Sequence, residues 1–116
     1  MQFGCTIPLI KWFYDNEKTN FKKTRWFLNC KDWIRFKLTN QIYNDETEVS
    51  VYPGDIKNKK LSNKIFNIFN LDTKYSKLFP KIKKPNDLGG YITKQASKKT
   101  LLKEGTPVII LSLIHI

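Results

Sequence analysis

The sequence predicts an α/β fold, because segments with helical spacing of apolar residues alternate with short strand-like runs. Hydrophobic residues make up 41% of the 116 residues, which is enough for a packed domain rather than a disordered segment. Length alone predicts one small domain with a single core. The predicted elements follow one another as helix 6–17, strand 26–28, helix 31–38, helix 62–70, strand 91–92, helix 93–103 and strand 108–111.

The first helix is predicted to begin at Thr6 and to end near Glu17. Thr6 is a suitable N-cap, and Pro8 fits a first helical turn. We expect the buried stripe of this helix to contain the apolar residues at i, i+3 and i+4, which are Leu9, Trp12 and Phe13. The next apolar run, 26–28, predicts a buried strand.

The second helix, 31–38, carries an apolar stripe at i, i+4 and i+8 made of Cys30, Ile34 and Leu38, with Trp33 and Phe36 beside it. A tryptophan can stack on a sugar ring, but at helical spacing beside other apolar residues it belongs more often to a core. We therefore predict core positions for Trp12, Trp26 and Trp33.

The second half of the chain offers clear start and stop signals. A turn is expected at 52–55, and Ser62 is predicted to cap a helix that buries Ile65, Ile68 and Phe69. Residues 78–87 are expected to form an extended linker. Thr93 is predicted to cap the next helix, Gly105 to end it, and Val108–Leu111 to form a buried strand.

The net charge of +11 raises the possibility of nucleic-acid binding. Only Arg25 and Arg35 are arginine, however, and the lysines are scattered, which favours a compositional bias over a nucleic-acid footprint. The sequence shows no apolar run long enough to cross a bilayer and no secretory signal at its start. The two cysteines, Cys5 and Cys30, could form a disulfide, but two reduced thiols in a cytoplasmic protein are favoured.

Three carboxylates, Asp45, Glu46 and Glu48, form the one acidic cluster that chemistry could use. Such a cluster can perform acid–base work or hold magnesium. If the segment were a strand, Glu46 and Glu48 would share one face. No histidine or glycine-rich loop accompanies the cluster, so a solvated or turn-stabilising role is favoured. The only histidine, His115, lies in the last six residues without an organised partner.

Four segments, in order and with suitable spacing, resemble the first domain of FGGY-family carbohydrate kinases over roughly residues 3–110. They are Gly4-Cys5-Thr6 with Trp12-Phe13 and Asp15-Asn16, then Asp32-Trp33-Ile34-Arg35-Phe36-Lys37-Leu38-Thr39, then Asp45-Glu46-Thr47-Glu48-Val49-Ser50, and finally Gly105-Thr106-Pro107-Val108. The chain departs from the family pattern at Leu9, which replaces a lysine, and at Asn40 and Leu101, which stand where glycine is usual.

The resemblance implies a fragment of a ribonuclease H-like, actin-like ATPase domain. It implies a full-length enzyme that uses magnesium-ATP to phosphorylate a sugar or polyol, such as a xylulose-like ketopentose or erythritol. Gly4 and Thr6 are then expected to border the sugar. No residue of this chain is assigned as catalytic or as a metal ligand, because the resemblance places the expected base beyond the chain end. Neither ATP nor magnesium is expected to bind the fragment tightly.

The resemblance also sets the expected organisation. Residues 1–110 are interpreted as a partial N-terminal kinase domain. Residues 111–116 resemble a translated sequencing adapter and are expected to be a non-native tail. A homodimer is one option for the full-length enzyme. A small basic nucleic-acid-binding or scaffold module without catalytic activity is the alternative.

Overall fold

The computed structural model describes residues 6–49 and 52–110, which contain both helices and short strands. The helices of this part are α1 Thr6–Asn16, α2 Lys18–Lys23, α3 Cys30–Thr39, α4 Asn63–Ile68 and α5 Lys94–Thr100, with 3₁₀ helices at Glu46–Glu48 and Thr73–Leu78. The strands are β1 Asn44–Asp45, β2 Gly54–Asp55, β3 Lys60–Leu61, β4 Ile82–Lys83, β5 Leu88–Tyr91 and β6 Pro107–Ile109. The predicted α/β class is confirmed. The predicted tail, 111–116, lies outside the described residues.

The chain divides into two compact units, where its length alone predicts a single core. Among the described residues, the first unit comprises 6–27, 48–49 and 52–79, and the second comprises 28–47 and 80–110. Each unit therefore combines segments that are distant in sequence.

The core of the first unit is largely aromatic. Phe66 of α4 is only 1% exposed, and its ring meets Phe79 edge-on at a centroid distance of 5.9 Å. Phe79 also contacts the rings of Phe27 and Tyr52. Edge-to-face and tilted ring pairs add to the free energy gained by burying apolar area. The core thus gathers rings from four separate segments of the chain.

The buried face of α1 differs from the predicted one. Ile7 and Ile10 are buried, whereas Leu9 and Trp12 are 57% and 58% exposed. Because α1 is apolar on several sides, two stripes satisfy the helical spacing equally well. Packing in the folded unit selects the stripe of Ile7 and Ile10. The predicted stripe is therefore wrong at Leu9 and Trp12, whereas Phe13 is half-buried and its ring lies 5.7 Å from that of Phe21.

Further differences concern the rest of the first unit. Residues 26–28 contain no assigned strand, although the Phe27 N–H donates to the Leu78 carbonyl at 2.9 Å. Ser62 occupies the predicted N-cap position of α4, but its side chain makes no capping hydrogen bond. Ile68 was expected in the core but is 66% exposed, because Phe66 supplies the buried ring of this short helix.

Two small sheets organise the second unit. β1 pairs with β4 in parallel, and β5 pairs with β6 in an antiparallel ladder that sets Leu88 opposite Ile109. These two side chains are 42% and 49% exposed, whereas Ile110 is 2% exposed. The expected burial of the last strand is therefore confirmed at Ile110 and wrong at Ile109. Residues 78–87, expected as a linker, contain β4.

Helix α5 begins as predicted and ends earlier. The Thr93 Oγ1 atom accepts a hydrogen bond from the Ala96 N–H at 3.2 Å, which confirms the N-cap. The helix ends at Thr100, and Leu101 is the C-cap, in the left-handed conformation with φ 64°. Gly105 instead follows as part of a turn, with φ 80°. The prediction of Gly105 as the helix end is wrong.

Replacing Leu101 with glycine is expected to stabilise the chain by about 0.5–1 kcal/mol. A left-handed conformation costs a residue with a Cβ about 1–2 kcal/mol, and the greater freedom of glycine in the unfolded chain offsets part of that gain. Leu101 is 91% exposed, so little packing is lost. The free energy of unfolding in urea measures the change.

The matched control is Asn40→Gly, since Asn40 also caps a helix with positive φ, at 56°. Asparagine adopts this conformation readily, so the control should change stability less than Leu101→Gly. A larger gain at Asn40 than at Leu101 would contradict the explanation.

Candidate functional site

Helix α3 buries a polar face and exposes an apolar one. Asp32, Arg35 and Thr39 are buried, whereas Trp33 and Ile34 are each 53% exposed. The buried residues follow helical spacing at i, i+3 and i+7, as an apolar stripe would. The predicted apolar stripe of this helix is therefore wrong, and a group of charges lies inside the second unit.

Arg35 is the centre of this group. Its Nη1 atom lies 2.7 Å from Asp32 Oδ1, and the same nitrogen donates to the Ile110 carbonyl at 2.9 Å. The Nη2 atom donates to the Tyr43 carbonyl. A planar guanidinium with five N–H donors suits such a fork. One side chain thereby connects α3 to the residue that follows β6 and to the segment that precedes β1.

Lys31 joins a second carboxylate to the same group. Its Nζ atom lies 3.0 Å from Asp32 Oδ1 and 3.4 Å from Asp45 Oδ2. Both carboxylates are fully buried, so two cations balance two anions in the interior of this unit. Lys31, Asp32, Arg35 and Asp45 are called the buried charge cluster below. Buried charges of this kind require partners, since an isolated one is strongly unfavourable.

The backbone of β5 is shaped around Arg35. A Cβ atom added to Gly89 would lie 2.7 Å from Arg35 Cδ and 3.2 Å from Ile110 Cδ1. Real Cβ atoms do not approach other atoms so closely, so β5 passes the arginine only because residue 89 is glycine. The cluster thus constrains a neighbouring strand as well as the helix that carries it.

Asp45 also ends β1 and starts a turn. Its carboxylate accepts hydrogen bonds from the Thr47 N–H at 2.9 Å and from Thr47 Oγ1 at 2.8 Å. These bonds draw the chain into the 3₁₀ helix Glu46–Glu48 rather than a longer strand. The turn-stabilising role predicted for this acidic segment is confirmed at Asp45. The prediction of a solvated role is wrong, because Asp45 and Glu48 are buried. The prediction that Glu46 and Glu48 share a strand face is also wrong, because these residues lie in a 3₁₀ helix.

The cluster is not fully hydrogen-bonded. Asp32 Oδ2, Arg35 Nε and Asn44 Oδ1 are buried side-chain atoms with no hydrogen-bond partner among the described residues. Each such atom costs about 1–3 kcal/mol of stability. Replacing buried ion pairs with well-packed apolar residues is often neutral or stabilising, so the buried charge cluster is weak evidence for a stabilising role.

A cleft of about 360 Å³ opens beside α3 in the same unit. Lys83 lies in its wall, with Nζ 3.9 Å from the Tyr43 ring centroid and donating to the Leu88 carbonyl at 3.0 Å. Gly90, with φ 135°, closes the cleft against Thr39, since a Cβ there would lie 2.8 Å from Thr39 Cβ. The cleft has room for a small polar or anionic molecule. Its lining consists of Thr39, Gln41, Tyr43, Lys83, Leu88, Gly89, Gly90 and Tyr91.

The site residues expected from the sequence are placed only in part. Gly4 lies outside the described residues, and Thr6 is the first residue of α1 and is half-buried. The core positions predicted for the three tryptophans are wrong, because Trp12, Trp26 and Trp33 are 58%, 44% and 53% exposed.

The buried charge cluster was not predicted from the sequence. The i, i+3 spacing of Asp32 and Arg35, typical of a helical ion pair, is the signal that could have revealed it.

The clearly shifted pKa values belong to surface turns. The Asn58 side chain, which donates to Asp55, is the main cause that lowers the pKa of Asp55. The Lys74 N–H, which donates to Asp72, is the main cause that lowers the pKa of Asp72. Both carboxylates stabilise local turns.

Two further properties concern the described part of the chain. Within residues 6–49 and 52–110, no three histidine, cysteine, aspartate or glutamate residues are arranged to hold a metal ion. The helices in these ranges are too short or too polar for any of them to span a bilayer.

Curated proteins match about nine-tenths of this chain. A xylulose kinase of Bacillus subtilis is 33% identical over 109 residues, which cover 90% of this chain and 21% of that protein. A probable L-xylulose kinase of Haemophilus influenzae is 29% identical over 107 residues, which cover 91% of this chain and 22% of that protein. The chain therefore spans about a fifth of the length of the curated relatives it matches.

Solved structures show the same fold. A gluconate kinase from Lactobacillus acidophilus matches with a TM-score of 0.78 at 20% identity, over 91% of this chain and 21% of that one. A glycerol kinase from Plasmodium falciparum, solved with ADP, matches with a TM-score of 0.70 at 22% identity, over 87% of this chain and 20% of that one. These matches confirm the predicted actin-like sugar-kinase fold.

The family model for the N-terminal domain of the FGGY family of carbohydrate kinases matches residues 1–113. This match covers nearly the entire chain and agrees with the motifs at both of its ends, with the relatives and with the fold. The chain belongs to the FGGY family of carbohydrate kinases and carries sequence of its N-terminal domain.

Proposed function

We propose that this chain is part of a kinase that transfers the γ-phosphoryl group of ATP to a hydroxyl of a xylulose-like ketopentose. The observation that carries the proposal is the agreement of the curated relatives, whose names specify xylulose or L-xylulose kinases. Each of these three matches covers at least 90% of this chain.

Phosphoryl transfer depends mainly on positioning and on stabilisation of charge, and bound magnesium-ATP supplies the phosphoryl group and part of that charge. Magnesium and nucleotide are proposed for the full-length protein, and no step is assigned to them in this chain. The contribution proposed for this chain is a rigid scaffold and part of the sugar site. That Gly4 and Thr6 border the sugar stays a prediction.

Three further properties of the full-length protein stay proposals. A cytoplasmic location fits its need for ATP. A homodimer is tested by its mass in solution. A polyol such as erythritol is the alternative substrate, since a glycerol kinase shares the fold.

The 116-residue chain alone is expected to phosphorylate no sugar. The relatives are about five times longer than this chain. A fifth of such a protein is not expected to position both ATP and sugar, and positioning and charge stabilisation provide most of the rate enhancement. A coupled assay for ADP release, with D- and L-xylulose, ribulose, glycerol and erythritol, measures the activity.

The same assay on the longer polypeptide that contains this chain tests the proposed function. We expect turnover with a xylulose isomer and weaker turnover with the polyols. ATP-dependent phosphorylation by the isolated chain would contradict the first expectation. A folded longer polypeptide that turns over none of the five acceptors would contradict the second.

A further inference from the structure

We propose that Arg35 is a positioning residue for phosphoryl transfer: it fixes the carboxyl end of β6, and with it the edge of the second unit at which the reacting groups are arranged. The inference rests on the proposed function. It assigns a role to a side chain that neither the family match nor the relatives single out.

The first step of the argument is the place of the buried charge cluster in the fold. Asp45 is the last residue of β1, and Ile110 directly follows β6. Lys31 and Asp32 lie in the first turn of α3. The Lys31–Asp45 ion pair therefore joins the carboxyl end of β1 to the first turn of α3, and the Arg35 hydrogen bond joins the residue after β6 to the middle of the same helix. In α/β folds, ligands bind at the carboxyl ends of strands and near the amino ends of helices.

The second step is the nature of the contact. The Arg35 guanidinium binds the backbone carbonyl of Ile110, at 2.9 Å, and not the Ile110 side chain. A backbone contact fixes the path of the chain whatever side chain residue 110 carries. The Ile110 N–H donates to the Asp87 carbonyl at 3.0 Å, so both backbone polar groups of this residue are hydrogen-bonded.

The third step is the cost of the arrangement. Arg35 is 4% exposed, a side chain at residue 89 would force a shift of Arg35, and two polar atoms of the cluster, Asp32 Oδ2 and Arg35 Nε, have no hydrogen-bond partner among the described residues. A packed apolar group in place of buried charges is often neutral or stabilising. The planar guanidinium holds two carbonyls and a carboxylate in a fixed arrangement, whereas a lysine ammonium on its flexible stem holds such a set less rigidly and an apolar residue does not bind it at all.

The experiment compares Arg35→Lys and Arg35→Met with Arg25→Met, which makes the same chemical change at the exposed arginine. In the 116-residue chain, amide hydrogen exchange is measured at Ile110 and, as a reference, at Ser97, whose N–H donates to the Thr93 carbonyl in α5. We expect both Arg35 variants to speed exchange at Ile110 by about tenfold or more relative to Ser97, and Arg25→Met to leave the ratio unchanged. Equal acceleration at both amides would show general destabilisation and overturn the proposal.

In the longer polypeptide, the same variants are assayed with the sugar that it phosphorylates. We expect Arg35→Lys to lower kcat by about 10- to 100-fold, because small misplacements of reacting groups are costly. KM for sugar and ATP should stay within about threefold, since ground-state binding is not removed. Rates are divided by the folded fraction, so that loss of fold does not count as loss of positioning.

The two arms separate the possible failures. Unchanged exchange at Ile110 means that Arg35 does not fix the strand end. Faster exchange with unchanged kcat means that the strand end has no part in the reaction. Either result overturns the proposal while the proposed function stands. If the unmodified longer polypeptide phosphorylates no sugar, the proposed function has failed, and the role in phosphoryl transfer fails with it, whatever the exchange data show.

Discussion

Replacing Asp32 with alanine is expected to destabilise the chain by about 3–5 kcal/mol. Asp32 is fully buried and lies 2.7 Å from Arg35 and 3.0 Å from Lys31. Its removal leaves a buried guanidinium without its carboxylate, and the Coulomb attraction no longer offsets the desolvation of that charge. Small domains are stable by only about 5–15 kcal/mol, so the variant should lose a large part of its free energy of unfolding. Urea denaturation followed by circular dichroism measures the loss.

The matched control is Asp15→Ala. Asp15 also pairs with a lysine, at 2.6 Å from Lys11 on α1, but its side chain is 47% exposed. Solvent screens such a pair, and its loss should cost about 0.3–0.5 kcal/mol. Similar losses at Asp32 and Asp15 would show that the buried charge cluster is not closed to water.

Replacing Phe66 with alanine is expected to cost about 3–5 kcal/mol in the first unit. Phe66 is 1% exposed and packs edge-on against Phe79, so truncation removes buried apolar area and leaves a cavity among aromatic rings. Thermal or urea unfolding measures the change. The Phe79 ring, which also meets Phe27 and Tyr52, cannot move to fill the space without losing those contacts.

The same helix supplies the control, Ile68→Ala. Ile68 is 66% exposed, so its truncation should cost well under 1 kcal/mol. The comparison also tests which side of α4 faces the core, because the spacing of apolar residues predicts that Ile68 is buried. A larger loss at Ile68 than at Phe66 would reverse the described packing of α4.

Local signals located α1, α3, α4 and α5, whereas α2, Lys18–Lys23, was not predicted. Helix α3 was expected at 31–38 and spans Cys30–Thr39, and Thr93 caps α5 through the bond expected of it. Caps and helical turns are closed by hydrogen bonds between residues three or four positions apart, so nearby residues suffice to predict them. The end of α5 was missed because Leu101 adopts a left-handed conformation that usually marks glycine.

The buried sides of the helices could not be predicted in the same way. Both α1 and α3 carry more than one set of residues at helical spacing, and α3 buries Asp32 and Arg35 rather than Ile34. A helix does not select its buried face by itself, because that choice depends on what other segments offer. Arg35 is buried because the carbonyls of Tyr43 and Ile110 and the carboxylate of Asp32 satisfy its N–H groups.

The sequence by itself determined the α/β class, the positions of the main helices and the family, since these depend on local spacing and on motifs that can be identified in order along the chain. Only the tertiary structure decided which residues form the two cores, that Asp45 is buried and paired, and that Arg35 holds the end of β6. The physical reason is that a charged side chain is buried only where partner groups compensate for its lost hydration. Several of these partners lie far away along the chain, and contacts between distant residues leave no local pattern in the sequence.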